Sequence, residues 1–299
     1  MARYAGARDA EGRPLRGVLP IFHVKSRFFG HHVISIPFMN YGGPVGDAPA
    51  RQALAAWALQ DGKTAGADSV VLRTRTAVPG DFPQASSKVT VVLPLGGDAD
   101  VMWQKSFDAK FRNKIKRPQR DGMVTRFGPE HLDGYYEVFA ANMRDLGTPV
   151  LPRRFFQRIL EQFPGMALLG VTYWNERPVA GGFGFIWRDE FEMTWSSSLK
   201  ELRASKPNML LYWDYMRELI GRGVRQFNFG RSTPGTGPHD FKLSWGGVDE
   251  ALPWIQWPTQ SAAAGTGGVA QLASAVWRHL PVRMTRAMGP MVARQLPWW

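Results

Sequence analysis

Apolar positions along the chain recur with two different periods, one suited to strands and one to helices. Gly17 to Val24 and His32 to Phe38 are rich in Val, Ile and Phe, and a turn at Phe29-Gly30 separates them, which predicts a β-hairpin. The turn-rich segment Asn40-Tyr41-Gly42-Gly43-Pro44 follows. Ala50 to Lys63 then places Ala, Leu and Trp at helical spacing, and Ser69 to Arg73 returns to a strand pattern. Farther along, Phe191 to Ser196 reads as a strand, a polar loop runs to Pro207, Asn208 to Arg222 reads as a helix, and Gln226 to Phe229 as a strand.

The order strand, loop, helix, strand therefore occurs twice, with matching spacing. Pro37 precedes Arg73 by 36 residues and Trp195 precedes Arg231 by 36, and each arginine ends its strand just before a Thr or Ser-Thr. The second copy has a full upstream half: strand Met123 to Phe127, helices Glu130 to Asp145 and Arg153 to Gln162, strand Ala167 to Tyr173, and hairpin Pro178 to Trp187 leading into Phe191. That order resembles the GNAT-type acyltransferases. Only about 16 residues precede the first predicted strand of copy one, so its leading strand and two helices are expected to be missing. The expectation is an α/β (α+β) chain with two GNAT-like units in tandem. Residues 1–103 form an incomplete first unit, 104–121 a basic linker helix, 122–257 a complete unit, and 258–299 a basic, amphipathic helical tail.

Composition narrows the chemistry. With 299 residues, 44% of them hydrophobic, the chain can bury a large core, and its 32 Gly and 22 Pro are dispersed as turn residues. Zero cysteines exclude disulfides, thiolate metal sites and a Cys nucleophile, and suit a reducing compartment. Met1 to Pro20 carries charges throughout, and no 18 uncharged apolar residues run together, so neither a secretory signal nor a membrane span is expected. A cytoplasmic protein, peripheral at the inner membrane, fits this composition. A net charge of +12 implies an anionic partner. Lys105 to Arg120 holds seven cations against one acid, Asp108, and the segment from Pro258 has no Asp or Glu but carries Trp277, Arg278, Arg283, Arg286, Met288, Arg294, Trp298 and Trp299. The first run fits RNA or phosphate, or equally a solvated charged face, and the second an anionic lipid surface, or equally packing back on the catalytic unit.

In a GNAT-type site two central strands splay apart and the following helix N-terminus receives an anionic donor. Here that locates Ser197, Ser198, Lys206 and Asn208, with Arg231 at the end of the adjoining strand. The coenzyme A fingerprint Arg/Gln-x-x-Gly-x-Gly/Ala is absent from Leu199 to Asn208, which disfavours coenzyme A as the donor. Glu192, on the strand entering the cleft, is the general-base candidate. Tyr41, in the Asn40-Tyr41-Gly42-Gly43 loop, is a substrate-contact candidate. Trp195, Trp213 and Tyr212 sit within apolar elements and read as core, while the six scattered histidines read as structural, with no metal expected. By position alone, Lys242 reads equally as a surface lysine, Arg231 as a strand-end cap, and Arg144 as a cation at a helix C-terminus; Glu192 reads more readily as structural.

Phe241-Lys242 to Trp245-Gly246, following the strand end Gly230-Arg231-Ser232-Thr233, resembles the C-terminal signature of FemAB-like transferases, in particular the group associated with PEP-CTERM/exosortase gene clusters. Val24 to Arg27, Asn40 to Gly43, Arg112 to Arg117, Asn142 to Pro149 and Asn208 to Trp213 agree with that group, so the resemblance spans roughly residues 13–257. It implies tandem GNAT folds that transfer an amino acid from aminoacyl-tRNA to an amine of a cell-wall precursor, without a tightly bound cofactor. It also implies that Lys242 neutralises charge developing at the donor and that Arg144 holds acceptor phosphate. The acceptor is a peptidoglycan precursor or an exopolysaccharide intermediate. Two other readings stay open: an acyl-CoA-dependent N-acyltransferase on an amino sugar of exported polysaccharide, and a non-catalytic module binding nucleotide, RNA or lipid.

Overall fold

Two sheets organise the chain, and in each an antiparallel run of three or more strands is followed by a parallel pair, with further strands beyond it. The computed structural model describes residues 1–8, 14–27, 29–84, 86–259 and 268–296, of which 268–270 are described by backbone alone. In chain order the first elements are β1 (Ala2–Ala7), β2 (Gly17–Ser26), β3 (Gly30–Ile34), β4 (Val45–Gly46), α1 (Ala48–Thr64), β5 (Ser69–Leu72) and β6 (Val89–Pro94). Next come α2 (Ala99–Lys105), α3 (Ala109–Arg120), β7 (Met123–Phe127), α4 (Leu132–Asp145), α5 (Arg153–Gln162), β8 (Ala167–Trp174), β9 (Arg177–Trp187) and β10 (Glu190–Ser198). The remainder is α6 (Pro207–Gly221), β11 (Gln226–Ser232), α7 (Gly237–Leu243), β12 (Val248–Ala251), β13 (Ile255–Trp257), α8 (Gly268–His279) and α9 (Val282–Ala293).

The first sheet runs β1-β2-β3-β5-β13, with β4 on β2. Its core follows from strand alternation: Leu19 and Ile21 of β2 and Val33 of β3 turn inward against Leu54, Ala55 and Ala58 of α1. Asp47 caps α1, its carboxylate accepting from the Ala50 N–H at 3.0 Å. The strand expected first, at Gly17, is preceded by β1, which pairs with it antiparallel from Ala2 opposite Phe22 to Ala7 opposite Gly17. This pattern was illegible because only Tyr4 among the six residues of β1 is large and apolar.

The second sheet runs β12-β6-β11-β10-β9-β8-β7. Gly181 and Gly182 of β9 explain how helices approach both of its faces: a Cβ at Gly181 would lie 2.9 Å from Tyr135 of α4, and one at Gly182 3.0 Å from Tyr215 of α6. Adjacent residues of a strand point to opposite faces, so α4 and α6 cover opposite sides. The run β1-β2-β3-α1-β5 repeats β8-β9-β10-α6-β11 in direction and order. Among the described residues β7, α4 and α5 have no counterpart in the first sheet, as the repeat predicts.

The units are not successive lengths of chain. Residues 1–89, 250–270 and 291–299 make one unit, and 90–249 with 271–290 the other. β6 follows the strands of the first sheet yet joins the second beside β11, whereas β13 follows the second sheet and pairs antiparallel with β5 of the first. The expected divisions near 103 and 257 do not capture this exchange, because a division read along the chain has no access to pairing between distant strands. The expected linker helix also differs. Lys105 closes α2, and the basic run becomes α3, which buries Phe111, Ile115 and Pro118 within the second unit. In the tail, Trp277 is buried, in keeping with the reading of the tail as packed on the protein, and Trp298 and Trp299 lie outside the described residues.

Candidate functional site

In the second unit β10 and β11 pair in parallel for only three rungs, from Glu190 opposite Gln226 to Glu192 opposite Asn228. Beyond that point β10 stays on β9 as far as Ser198, while β11 continues to Ser232 without a partner on β10. The strands therefore part at Glu192. Asn228 closes the last rung: its amide accepts from Thr90 Oγ1 at 2.6 Å and from the Gly230 N–H at 2.8 Å, and donates to Glu190 at 2.9 Å.

Lys242 reaches the part of β11 that lies beyond its pairing with β10. It is buried, and its Nζ donates to the carbonyls of Gly230 at 2.7 Å and Arg231 at 2.8 Å. Burial, reinforced by the Arg231 guanidinium and opposed by Glu192, lowers its pKa to about 7. Two of the nitrogen's positions are taken by carbonyls. A third is an N–H donor when the amine is charged and a lone pair when it is neutral. Burial also lowers the pKa of Arg231. Lys242, Arg231 and Glu192 are thus brought within electrostatic reach of one another, and the surface-lysine reading of Lys242 is set aside by its burial.

A pair that the sequence reading passed over holds α7. His239 lies three residues before Lys242 on that helix and is buried, with Nε2 3.0 Å from both carboxylate oxygens of Asp249. The Gly235 N–H donates to His239 Nδ1 at 3.4 Å, so Nε2 carries the proton and donates to the carboxylate. The spacing from His239 to Lys242 was visible in sequence; Asp249 reaches His239 only through the fold.

A second feature lies at the α6 N-terminus, where a cavity of about 310 Å³ is lined by Ser198, Lys206, Asn208, Lys114, Arg203 and Phe241, among others. Lys206 adopts a left-handed conformation (φ 57°), and no side chain caps the helix, so the positive end of its dipole is left for a ligand. Asn208 Oδ1 is buried without a hydrogen-bond partner. Three cations and an uncapped helix start suit phosphate. The equivalent start of α1 holds the Asp47 carboxylate, itself paired with Arg16 at 2.5 Å, and so repels an anion.

The remaining candidates lie elsewhere. A bulge between Met193 and Trp195 reverses the facing of β10. Phe191 stacks on Tyr215 of α6, so Glu192 faces the α4 side, yet Ser196 bonds Tyr212 of α6 at 2.9 Å. Ser198 shares that α6 side. Ser197 is buried on the opposite face, where its hydroxyl accepts from Asn142 of α4 at 3.1 Å, and it does not line the cavity. Arg144 pairs with Asp145 at 2.7 Å and donates to the Leu280 carbonyl at 3.3 Å. Tyr41 belongs to the first unit, beneath the Arg75 guanidinium, and in its loop the Gly42 N–H donates to the Arg73 carbonyl at 2.9 Å. Arg112, counted among the free cations of the basic run, donates to the carbonyl of Phe107 at 2.6 Å and to those of Trp103 and Gln104. His23, read as a scattered histidine, bridges Asp61 and His31 at 2.9 Å each, and among the described residues no cluster of His, Asp and Glu forms a metal-ligand set.

The splayed strands define a GNAT-like fold, here in tandem, and the comparisons agree. Residues 105–243 match the family model described as an acetyltransferase (GNAT) domain. Among solved structures, FemX superposes with a TM-score of 0.60 at 14% identity over 92% of this chain and 90% of that one. The L-PGS of Bacillus licheniformis gives 0.60 at 13% identity, covering 89% and 87%. The C-terminal domain of a putative lysylphosphatidylglycerol synthetase from Agrobacterium fabrum also gives 0.60 at 13%, covering 87% and 85%. No curated protein matches the sequence. Among the described residues no helix is long and apolar enough to cross a membrane.

Proposed function

We propose that the protein is a FemAB-like N-acyl or aminoacyl transferase, of the kind associated with PEP-CTERM/exosortase clusters, and that its second unit moves an activated carboxyl group onto an amine of a cell-envelope precursor. The observation that carries this reading is the anchoring of the Lys242 amine on the part of β11 that lies beyond its pairing with β10. The names of the similar structures, FemX and lysylphosphatidylglycerol synthetase, support an envelope-related acceptor.

In this reading the donor is an aminoacyl-tRNA or an acyl-CoA, consumed as co-substrate with no tightly bound cofactor. Its phosphate rests against Lys206, Arg203, Lys114 and the start of α6. The carbonyl lies in the gap between the strands, and the third N–H of Lys242 stabilises the oxyanion that forms as the acceptor nitrogen attacks. The new C–N bond forms as the ester C–O or thioester C–S bond breaks. Glu192 takes the amine proton, and the leaving oxygen or sulfur is protonated in turn. Attack is direct, with no enzyme-bound intermediate.

The test supplies purified protein with charged tRNA or acyl-CoA, together with a peptidoglycan or polysaccharide precursor bearing a free amine, and measures donor loss and acceptor mass. One donor is expected to be consumed with a matching mass gain, and Lys242→Ala to lower turnover by roughly 100-fold or more while far-UV circular dichroism is unchanged. Inertness toward both donors, or a fully active Lys242→Ala protein, overturns the proposal.

A further inference from the structure

The last two described helices each carry two apolar stripes. On α9 the inward stripe is Thr285, Gly289 and Ala293, all buried. At roughly 100° per residue, Met284, Met288 and Met291 fall within about 60° of one another on another side of the helix. They are exposed, Met291 to 68%. Arg283 and Arg294 lie together along one edge of this stripe, both exposed. The same plan recurs on α8, where Trp277 is buried while Leu272, 66% exposed, and Val276 form an outward pair one turn apart, with exposed Arg278 and His279 beyond them.

Ordinary solvated helices place charge opposite their buried face. Here that side holds five large apolar side chains, and the charges the two helices themselves carry are all positive, because no Asp or Glu occurs after Glu250. Exposed apolar residues in such a grouping mark a contact surface.

We infer that the outward stripes of α8 and α9 form a docking surface for an anionic lipid bilayer, with the methionines, Leu272 and Val276 entering the acyl boundary and the arginines meeting the headgroups. Lipid fits better than the alternatives. A nucleic acid would use the cations but leave the five apolar side chains without a partner. A second copy of the chain, meeting this face across a two-fold axis, would set the same cations against themselves. The amphipathic length, the apolar stripe and the purely basic border match helices that lie in the plane of a membrane interface. The inference stands apart from the acyl-transfer reading, since neither helix supplies a residue to the splayed site.

The test uses the full chain and sedimentation with vesicles of phosphatidylcholine alone or mixed with phosphatidylglycerol. The expected result is binding to the mixed vesicles only, weakening as salt rises. Two variants separate the components. Met288→Asp with Met291→Asp removes apolar insertion, and Arg283→Glu with Arg294→Glu reverses the border. Each pair is expected to lower binding at least roughly tenfold, while Arg283→Lys with Arg294→Lys retains it. Thermal melts of all variants should overlay the parent, because the altered side chains are exposed. Equal binding to neutral vesicles, no binding at low salt, or unaltered binding by both disruptive pairs overturns the inference. So does vesicle-independent dimerisation, or RNA binding that the methionine pair leaves intact while vesicles are ignored.

Discussion

Glu192 lies opposite Asn228 in the last rung shared by β10 and β11, and two residues farther along β11 the Gly230 carbonyl accepts instead from Lys242 at 2.7 Å. A side-chain amine thus takes up a strand end that a neighbouring backbone would otherwise satisfy. The chemistry expected of the second unit follows from this replacement.

Lys242 ties stability to pH. Its folded pKa of about 7 lies below that of an unfolded lysine, about 10.4. Between those values the unfolded chain binds more protons, so this residue makes stability rise with pH; below about 7 its buried charge weighs fully against the fold. Thermal melts from pH 6 to 10, a range set by roughly these two pKa values, should show a rise in the parent that Lys242→Met flattens, with the variant gaining most at the acidic end. An unchanged slope in the variant would place the titration elsewhere.

The His239–Asp249 pair should position Lys242 without touching substrate. Asp249→Ala leaves a buried imidazole N–H unpaired, at a cost of about 1–3 kcal/mol. In the transfer assay we expect kcat to fall roughly tenfold with KM nearly constant, and Asp249→Asn to restore part of the loss, because its amide oxygen still accepts from His239. A change confined to KM would argue against a positioning role.

Lys206→Ala should weaken the hold on an anionic donor. Loss of one cation at the start of α6 is expected to raise the donor KM by about tenfold and to make binding less sensitive to salt, with kcat little changed. Donor titrations at two ionic strengths provide the check. Asp47→Ala offers the contrasting case in the first unit, where loss of the cap should cost about 1 kcal/mol in denaturant unfolding and leave transfer intact.

Gly42 and Gly43 sit where a side chain has no room. A Cβ at Gly42 would lie 2.6 Å from Ile36 and one at Gly43 2.5 Å from Thr74, so Gly43→Ala should destabilise the first unit by about 1–3 kcal/mol, measured by urea unfolding.

Much of the second unit was legible residue by residue. The period of 3.6 in Asn208 to Arg222 and the β-rich runs around it report burial that local sequence sets directly, and β10 to β11 with α6 lie within a residue or two of expectation, apart from the ends of β10 and β11. Lys242 was marked only through resemblance, since nothing local distinguishes it from a surface lysine. Ser197 was placed by its neighbours in sequence and Arg144 by resemblance; the bulge at Met193 turns Ser197 toward Asn142 of α4, and Arg144 reaches the Leu280 carbonyl, contacts that no local pattern reports. The exchange of β6 and β13 left no trace in periodicity, because edge pairing depends on hydrogen bonds between distant backbones.

The sequence by itself determined the helices and strands of the repeated unit and the basic, acid-free end, because burial pattern and charge are properties of neighbouring residues, whereas short elements such as β1 and β13 carry no such pattern. Tertiary structure alone decided that β10 and β11 separate after three rungs, that Lys242 is buried on two carbonyls, and which of the two helix starts is open to an anion. Those outcomes depend on backbone groups and desolvation brought together across the chain.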